Sequence, residues 1–442
     1  MLLRFWGTRG SIATPGPSTN RFGGNTSCVE VVTAAGKRVI FDCGTGARPL
    51  GAWLMANAPK PIEATILLSH THWDHIQGFP FFAPVFVPGN RFTVCGPKGA
   101  GRSLPEVLAG QMEYTYFPVE LGQLGSQIEY RDLDEGVHEI NGVRIAAQFL
   151  NHPAIALGYR IEADGASLLY LCDHEPYWEG LWRSDAEPGR IESILHDGDR
   201  RHAAFMHDAD VVIHDCQYTP EEYPSRKNWG HSTLSYVTKI AAAANVKRLF
   251  LTHHDPAHDD GFLARMEARA REIAASAGSP MRISCAAEGH AETIDGTATT
   301  YTREISSPAA GASADGSLAI LVVDDDESSR FLAQKILTRA GHHVTMAAGG
   351  AEGIALAEAN RPDLVLLDLV MPDPNGYAVL GALRSREETR SLPVIVLTAE
   401  DDEYSARQCF ELGATDFLSK PFTPPQLNAR VRACLARTRD NN

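Results

Sequence analysis

Up to about Arg303, apolar positions come in short runs that end in turns or in polar clusters. Val29-Glu30-Val31-Val32, Arg38-Val39-Ile40-Phe41, Phe92-Thr93-Val94-Cys95, Ile128-Glu129-Tyr130-Arg131, Val143–Phe149, Ser167–Cys172, Val211–Ile213 and Arg248–Thr252 are of this kind. Their length and β-branched content predict strands, and Asn141-Gly142 predicts a hairpin turn. Residues 1–303 therefore read as one α/β unit. The stretch from residue 304 to 317 is rich in Pro, Gly, Ser and Ala without periodicity, and predicts a flexible linker. From Leu318 to about residue 440 strand and helix alternate. Strands are expected at Leu318–Val323, His343–Ala347, Asp363–Leu369, Pro393–Ala399 and Thr415–Ser419, with Leu332 and Ile336 sharing one face of an intervening helix. Such βα repetition predicts a doubly wound parallel sheet.

Chemistry gathers where the strands end. Ile66-Leu67-Leu68 runs into Ser69-His70-Thr71-His72-Trp73-Asp74-His75. In an extended segment i and i+2 point the same way, so His70 and His72 can meet one ion while Asp74 and His75 face a second. Three other strands end in His152, Asp173 and His253, with His254 next to the last offering the same donor atom. One ion is then expected among His70, His72, His152 and Asp173, and another among Asp74, His75, Asp173 and His253, with Asp173 shared. Imidazole and carboxylate donors suit Zn²⁺ or Mn²⁺. Two such cations about 3.5–4 Å apart hold a bridging hydroxide and clamp the oxygens of a phosphodiester. His174, His207 and His214 read as supporting residues. Trp178 and Trp182 suit a pocket lining, a lid or local packing. The loops Phe22–Cys28 and Asp42–Gly46 are equally compatible with plain turn chemistry and with a substrate contact.

In the C-terminal part, Asp324, Asp325 and Asp368 stand at strand ends with Thr398 and Lys420. Clustered carboxylates call for a divalent cation, here Mg²⁺. Asp368 can then attack a phosphoryl donor, and Thr398 and Lys420 can receive the phosphoryl oxygens. Asp326 reads as a solvated residue at a helix start.

Composition narrows the partners. Length, 442 residues, suggests about three domains. The formal net charge of −15 and the lack of a long basic run disfavour a nucleic-acid binder. Eight scattered cysteines with no C-x-x-C pair read as buried thiols. The N-terminus has no signal-like pattern and no apolar run reaches membrane-spanning length, so a cytoplasmic setting without a membrane partner is expected.

These motifs carry two resemblances. Residues 1 to about 300 resemble the metallo-β-lactamase superfamily, in its cyclic-phosphodiesterase and tRNA 3′-processing endonuclease branch. The resemblance rests on Ser69–His75, His152 with Gly158-Tyr159-Arg160, Tyr170-Leu171-Cys172-Asp173, Gly230-His231-Ser232-Thr233 and Leu251-Thr252-His253. It is supported by Gly7-Thr8-Arg9-Gly10-Ser11 and His253-His254-Asp255-Pro256. It implies an αββα sandwich with the ions between two sheets, and catalytic roles for His231, assisted by Asp215, and for Asp74. The chain departs from the endonuclease in having Asp215 where that enzyme has glutamate. His72, where di-iron relatives typically carry glutamate, favours hydrolysis over redox chemistry. Residues 318–440 resemble a two-component response-regulator receiver, through Val322-Val323-Asp324-Asp325, Leu367–Pro372, Leu397-Thr398-Ala399 and Ser419-Lys420-Pro421-Phe422. That resemblance implies a flavodoxin-like (βα)5 fold and phosphorylation at Asp368. It also implies Mg²⁺ on Asp324, Asp325, Asp368 and the Val370 carbonyl, with Phe417 as switch aromatic.

The reading is a phosphorylation-regulated dinuclear-metal hydrolase acting on a small cyclic or linear phosphodiester. A cognate sensor histidine kinase or phosphotransfer protein would supply phosphate, and pairing into a homodimer is compatible with the receiver. Two rivals are a lactonase or thioesterase with the same ligands, and a signalling or phosphate-sink protein whose metal domain is a sensor or scaffold.

Overall fold

A computed structural model describes residues 1–98, 102–178, 180–183, 188–296, 317–398, 408–420, 422 and 424–439. The chain divides into two compact units, Met1–Arg303 and Glu304–Asn442. Length had suggested about three domains; two large sheets sharing one core make the first unit unusually big. Of the expected linker, residues 304–316 lie outside the described residues, as do Ala399 and Pro421.

The first unit contains two seven-stranded sheets. One holds β1 (Leu2–Gly7), β2 (Cys28–Val32), β3 (Arg38–Phe41), β4 (Glu63–Leu67), β5 (Arg91–Pro97) and β6 (Gln127–Leu133), with β14 (Ala291–Thr293) beside β1. The other runs from β7 (Gly136–Ile140) through β8 (Val143–Phe149), β9 (Leu157–Ala163), β10 (Ala166–Leu171), β11 (Val211–Asp215) and β12 (Arg248–Thr252) to β13 (Arg282–Cys285). Alternation sets the inner faces: in β1, Leu3 and Phe5 point inward while Leu2, Arg4 and Trp6 are half-buried. Leu3, Phe5, Val31, Phe41 and Leu67 pack against Ile145, Tyr159, Leu168, Tyr170 and Phe250 of the facing sheet.

Helices cover both outer faces. Helix Ala47–Asn57 buries Leu50 and Leu54 with Ile40, Ile66 and Val94 of the first sheet. Helices Asp197–Met206, Leu234–Ala243 and Asp260–Ser276 bury Phe205, Val237, Ile240 and Leu263 with Leu169, Leu171, Val212 and Leu249 of the second. The layers are therefore helix, sheet, sheet, helix, the expected αββα sandwich. The Asn141-Gly142 turn joins β7 to β8 in antiparallel register, pairing Ile140 with Val143.

Strand direction gathers the site. β8 runs antiparallel to β9 and β9 antiparallel to β10, while β10, β11 and β12 are parallel. The C-terminal ends of β8, β10, β11 and β12 therefore share one edge of the second sheet.

In the second unit, β15 (Ala319–Val323), β16 (His343–Ala347), β17 (Leu364–Asp368), β18 (Val394–Thr398) and β19 (Asp416–Ser419) form a parallel sheet in the order β16-β15-β17-β18-β19. This is a flavodoxin-like order, with β15, β17, β18 and β19 ending on the same side. Asp326 caps helix Glu327–Arg339, its carboxylate accepting from the Ser329 amide. Ala333, Ile336 and Leu337 are the buried residues of that helix, whereas Leu332 is 48% exposed. The apolar stripe is centred on 333, 336 and 337, so Leu332 falls off its edge.

Candidate metal centre and phosphoacceptor site

β4 ends at Leu67, and the chain continues extended through His70 to His72, which precedes the short helix Trp73–Ile76. That turn sends Asp74, His75 and Ile76 inward and leaves Trp73 in solvent. His152 follows β8, Asp173 follows β10 and His253 follows β12. All the predicted donors thus meet at one end of the sandwich.

Two overlapping groups result. One donor atom from each of His70, His72, His152 and Asp173 lies within 4.8 Å of the others, and so do donor atoms of His75, Cys172, Asp173 and His253. Asp173 faces both. Its Oδ2 lies 3.5 Å from His70 Nε2 and 3.7 Å from His152 Nε2. Its Oδ1 lies 3.3 Å from His75 Nε2 and 3.1 Å from His253 Nε2. Asp74 Oδ2 joins the second group at 3.2 Å from His75 Nε2 and 3.1 Å from His253 Nε2. His254 is drawn away, its Nε2 donating to the Ala286 carbonyl at 2.9 Å.

Three of the outward nitrogens are held by an acceptor. His75 Nδ1 donates to Asp42 at 2.8 Å, His152 Nδ1 to the Gly230 carbonyl at 3.0 Å, and His253 Nδ1 to Gln217 Oε1 at 2.9 Å. This fixes the tautomer that leaves Nε2 bare toward the cluster. His70 Nε2, His75 Nε2 and Asp173 Oδ1 are buried without a hydrogen-bond partner. An orphaned buried polar atom costs about 1–3 kcal/mol. Three orphans converging on two points fit a pair of divalent cations of the zinc or manganese type.

Electrostatics agree. Burial pushes the His70 and His72 rings down, and His152 down to about 3, keeping them in the neutral form that binds metal. Burial also opposes charge on His75, but Asp74, Asp173 and Asp42 together hold its pKa well above the usual value. Asp42, Asp173 and His253 all have positive φ, at 57°, 62° and 59°. Left-handed backbone is uncommon outside glycine, and here it turns each side chain off a strand tip into the cluster.

A third group sits beside the second. Donor atoms of Asp215, His231 and His253 lie within 4.8 Å of one another. His231 Nδ1 is 3.3 Å from Asp215 Oδ2, and its ring stacks on His253 with centroids 4.8 Å apart. Burial disfavours the charged ring, yet Asp215 and Asp173 outweigh it and lift the pKa of His231 to about 9.

Several supporting residues escaped the sequence reading. Asp42 accepts from Ser69 N, Ser69 Oγ and Tyr170 OH at 2.7, 2.9 and 2.7 Å besides His75. Gly10 lies so close to His253 that a Cβ there would meet the ring at 2.4 Å, and the Ser11 amide donates to Asp74 at 2.8 Å. A polar residue directly after an apolar strand, as in Phe41-Asp42, was the available signal. His174, His202 and His214 form a separate buried cluster, His202 stacking on His174 at 3.8 Å and its Nε2 2.8 Å from that of His214. His207 is exposed beside Asp208. Trp178 is buried and Trp182 packs on the helical core, so both serve local packing. All eight cysteines are buried.

In the second unit, Asp324, Asp325 and Asp368 place carboxylate oxygens within 4.8 Å of one another. Lys420 Nζ donates to Asp324 at 2.7 Å and to Asp368 at 2.8 Å. Burial pulls the lysine pKa down, but those two carboxylates outweigh it and raise it. The Val370 amide donates to Asp368 at 3.3 Å, and its side chain is exposed. Thr398 is buried at the end of β18, and Phe417 on β19 packs edge-on against Phe410 at 5.9 Å.

A two-sheet sandwich with histidine and aspartate clusters at its strand ends, joined to a parallel sheet with an acidic pocket, defines a metallo-β-lactamase-fold protein fused to a receiver. Comparison with known families agrees. Residues 37–254 match the beta-lactamase superfamily domain, and residues 320–432 match the response regulator receiver domain. The chain belongs to both families, one through each unit.

Among curated proteins it is similar to the alkaline phosphatase synthesis transcriptional regulatory protein PhoP of Bacillus subtilis (strain 168). Identity is 43% over 119 residues, covering 27% of this chain and 49% of PhoP. Protein PilH of Pseudomonas aeruginosa is 38% identical over 117 residues, covering 26% of this chain and 97% of PilH. The chain spans about half the length of the first curated relatives it matches. Among solved structures, the metallo-beta-lactamase fold protein YhfI of Bacillus subtilis aligns at 16% identity and a TM-score of 0.47, over 66% of this chain and 99% of YhfI. No helix among the described residues is long and apolar enough to cross a membrane.

Proposed function

We propose that the chain is a dinuclear-metal phosphodiesterase whose activity is set by phosphorylation of its receiver at Asp368. The observation that carries the hydrolase half is Asp173. It turns one oxygen to each of two donor groups, amid buried atoms that have no partner of their own. His70, His72, His152 and Asp173 would hold one cation, and Asp74, His75, Asp173 and His253 the other. Bound there, the pair would supply Lewis acidity and an activated water.

The rest is work for the chain's own side chains. Asp42, Gly230 and Gln217 keep three imidazoles aimed inward. Exposure of His72, beside buried His70, leaves the cluster open to a substrate from solvent. His231, protonated at neutral pH beside Asp215, can give its proton to the departing oxygen of a diester.

In the receiver, Asp324, Asp325 and Asp368, with the Val370 carbonyl, would hold Mg²⁺. Asp368 accepts phosphate from a histidine kinase or phosphotransfer protein, and Thr398, Lys420 and Phe417 respond. The ion pairs of Lys420 with Asp324 and Asp368 support this, because a phosphoryl group on Asp368 would compete for the same ammonium. Side-by-side assays of bis(p-nitrophenyl) phosphate and an acyl lactone on metal-replete protein test the reading. Diester cleavage is expected; turnover of the lactone alone would reassign the enzyme to acyl chemistry.

A further inference from the structure

The turn that carries His231 is tied down at both ends by a carboxylate. Asp215 Oδ2 accepts from the Ser232 amide at 3.0 Å and lies 3.3 Å from His231 Nδ1. Glu175 holds the other end. Its Oε1 accepts from the Asn228 amide at 2.7 Å and from Tyr223 OH at 2.8 Å, and its Oε2 accepts from the Gly230 amide at 2.9 Å. Glu175 is 7% exposed, and a carboxylate is costly to bury unless hydrogen bonds replace its water. Asn228 takes φ of +66°, an uncommon backbone for a residue with a Cβ.

Two functional side chains depend on that turn. The Gly230 carbonyl accepts from His152 Nδ1 at 3.0 Å, and the next residue is His231. Glu175 itself stands two residues past Asp173, and its backbone is tied to the segment bearing His152. The Glu175 amide donates to the Asn151 carbonyl at 2.8 Å, and Asn151 Nδ2 donates to the Glu175 carbonyl at 2.9 Å. One buried residue therefore joins the segments that bear Asp173, His152 and His231.

We infer that Glu175 is a positioning residue. By clasping Asn228 and Gly230 it aims the Gly230 carbonyl at His152, which fixes a ligand of one ion, and it sets where His231 stands. This inference rests on the hydrolase reading above and adds to it a residue that acts through the backbone rather than at the reacting atoms.

Glutamine at this position tests the clasp at constant size. A carboxylate has two acceptor oxygens and a carboxamide has one. The remaining oxygen is expected where two donors converge, at the place of Oε1. The carboxamide N–H groups then face the Gly230 amide and push that peptide off His152.

Titration of this chain with Zn²⁺ against a chromophoric chelator, with excess Mg²⁺ to occupy the receiver carboxylates, follows the two ions without requiring turnover. Glu175→Gln should weaken one ion by about 10–100-fold and leave the other within about 2-fold. The second is spared because Asp42 and Gln217, which hold His75 and His253, are untouched. At saturating Zn²⁺, kcat on bis(p-nitrophenyl) phosphate should stay at least about 10-fold low with KM little changed, since His231 is misplaced. Glu175→Asp keeps both oxygens but draws them back by one methylene. It should weaken the same ion by less, and it carries the test alone if the glutamine variant does not fold. Both ions held as tightly as in the wild type, or both weakened alike in a protein of unchanged circular dichroism, would overturn the clasp. Selective loss of one ion from a chain that cleaves no diester would support the clasp and sink the hydrolase reading. Diester turnover equal in the wild type and both variants would sink the clasp alone.

Discussion

Single residues in the cluster have separable proposed jobs, and pH isolates one of them. His231 owes its raised pKa, about 9, to Asp215 and Asp173 prevailing over burial. A general acid must be protonated, so turnover should fall as pH rises through that value. Asp215→Asn removes a raising charge and should move the alkaline limb of the kcat profile to lower pH. His231→Ala should cost about 10²–10⁴-fold in kcat with metal content intact. Asp42 acts at one remove. Four donors converge on its carboxylate, and an amide in its place would point N–H groups at some of them. Asp42→Asn should therefore weaken metal binding by about 10–100-fold, measurable by competition with a chelator.

Among elements, the strand tips and the turns after them decide the site. Gly230 has φ of +90°, and a Cβ on it would lie 2.1 Å from His152 Nδ1. Gly230→Ala should displace His152 and lower metal occupancy while the sandwich still folds, as metal analysis with circular dichroism would report. This scale also explains what was legible in the sequence. The strands were readable because each is a short apolar run with a turn behind it. His70, His72, Asp74 and His75 were readable because they are contiguous. His152, Asp173 and His253 followed from the repeated placement of His or Asp at a strand end. The roles of Asp42 and Gln217 were hidden, beyond the placement of Asp42 after an apolar strand, because they exist only once His75 and His253, 33 and 36 residues away, are brought beside them. The exposure of Leu332 was hidden for a related reason: i, i+4 spacing gives it a shared side of the helix with Ile336, but the neighbouring sheet decides where the buried stripe is centred.

On the scale of the whole molecule, phosphorylation control of the hydrolase, as proposed, requires that one state of the receiver change turnover in the other domain. A small phosphodonor with Mg²⁺ should change kcat or KM of the full chain by at least about 5-fold, the lower end of ordinary allosteric coupling. Asp368→Ala should abolish that response and leave basal turnover in place; a response surviving in the variant would disconnect the receiver from the enzyme. The central claim, however, is the dinuclear phosphodiesterase itself. Its most direct test is hydrolysis of bis(p-nitrophenyl) phosphate by this chain in metal-replete form, with metal counted in the same sample and Asp173→Ala assayed beside it. Two equivalents of zinc or manganese in the hydrolase domain, diester turnover lost on chelation and restored by the metal, and neither metal nor turnover in Asp173→Ala are predicted. Protein that retains both ions and cleaves no diester would contradict the account.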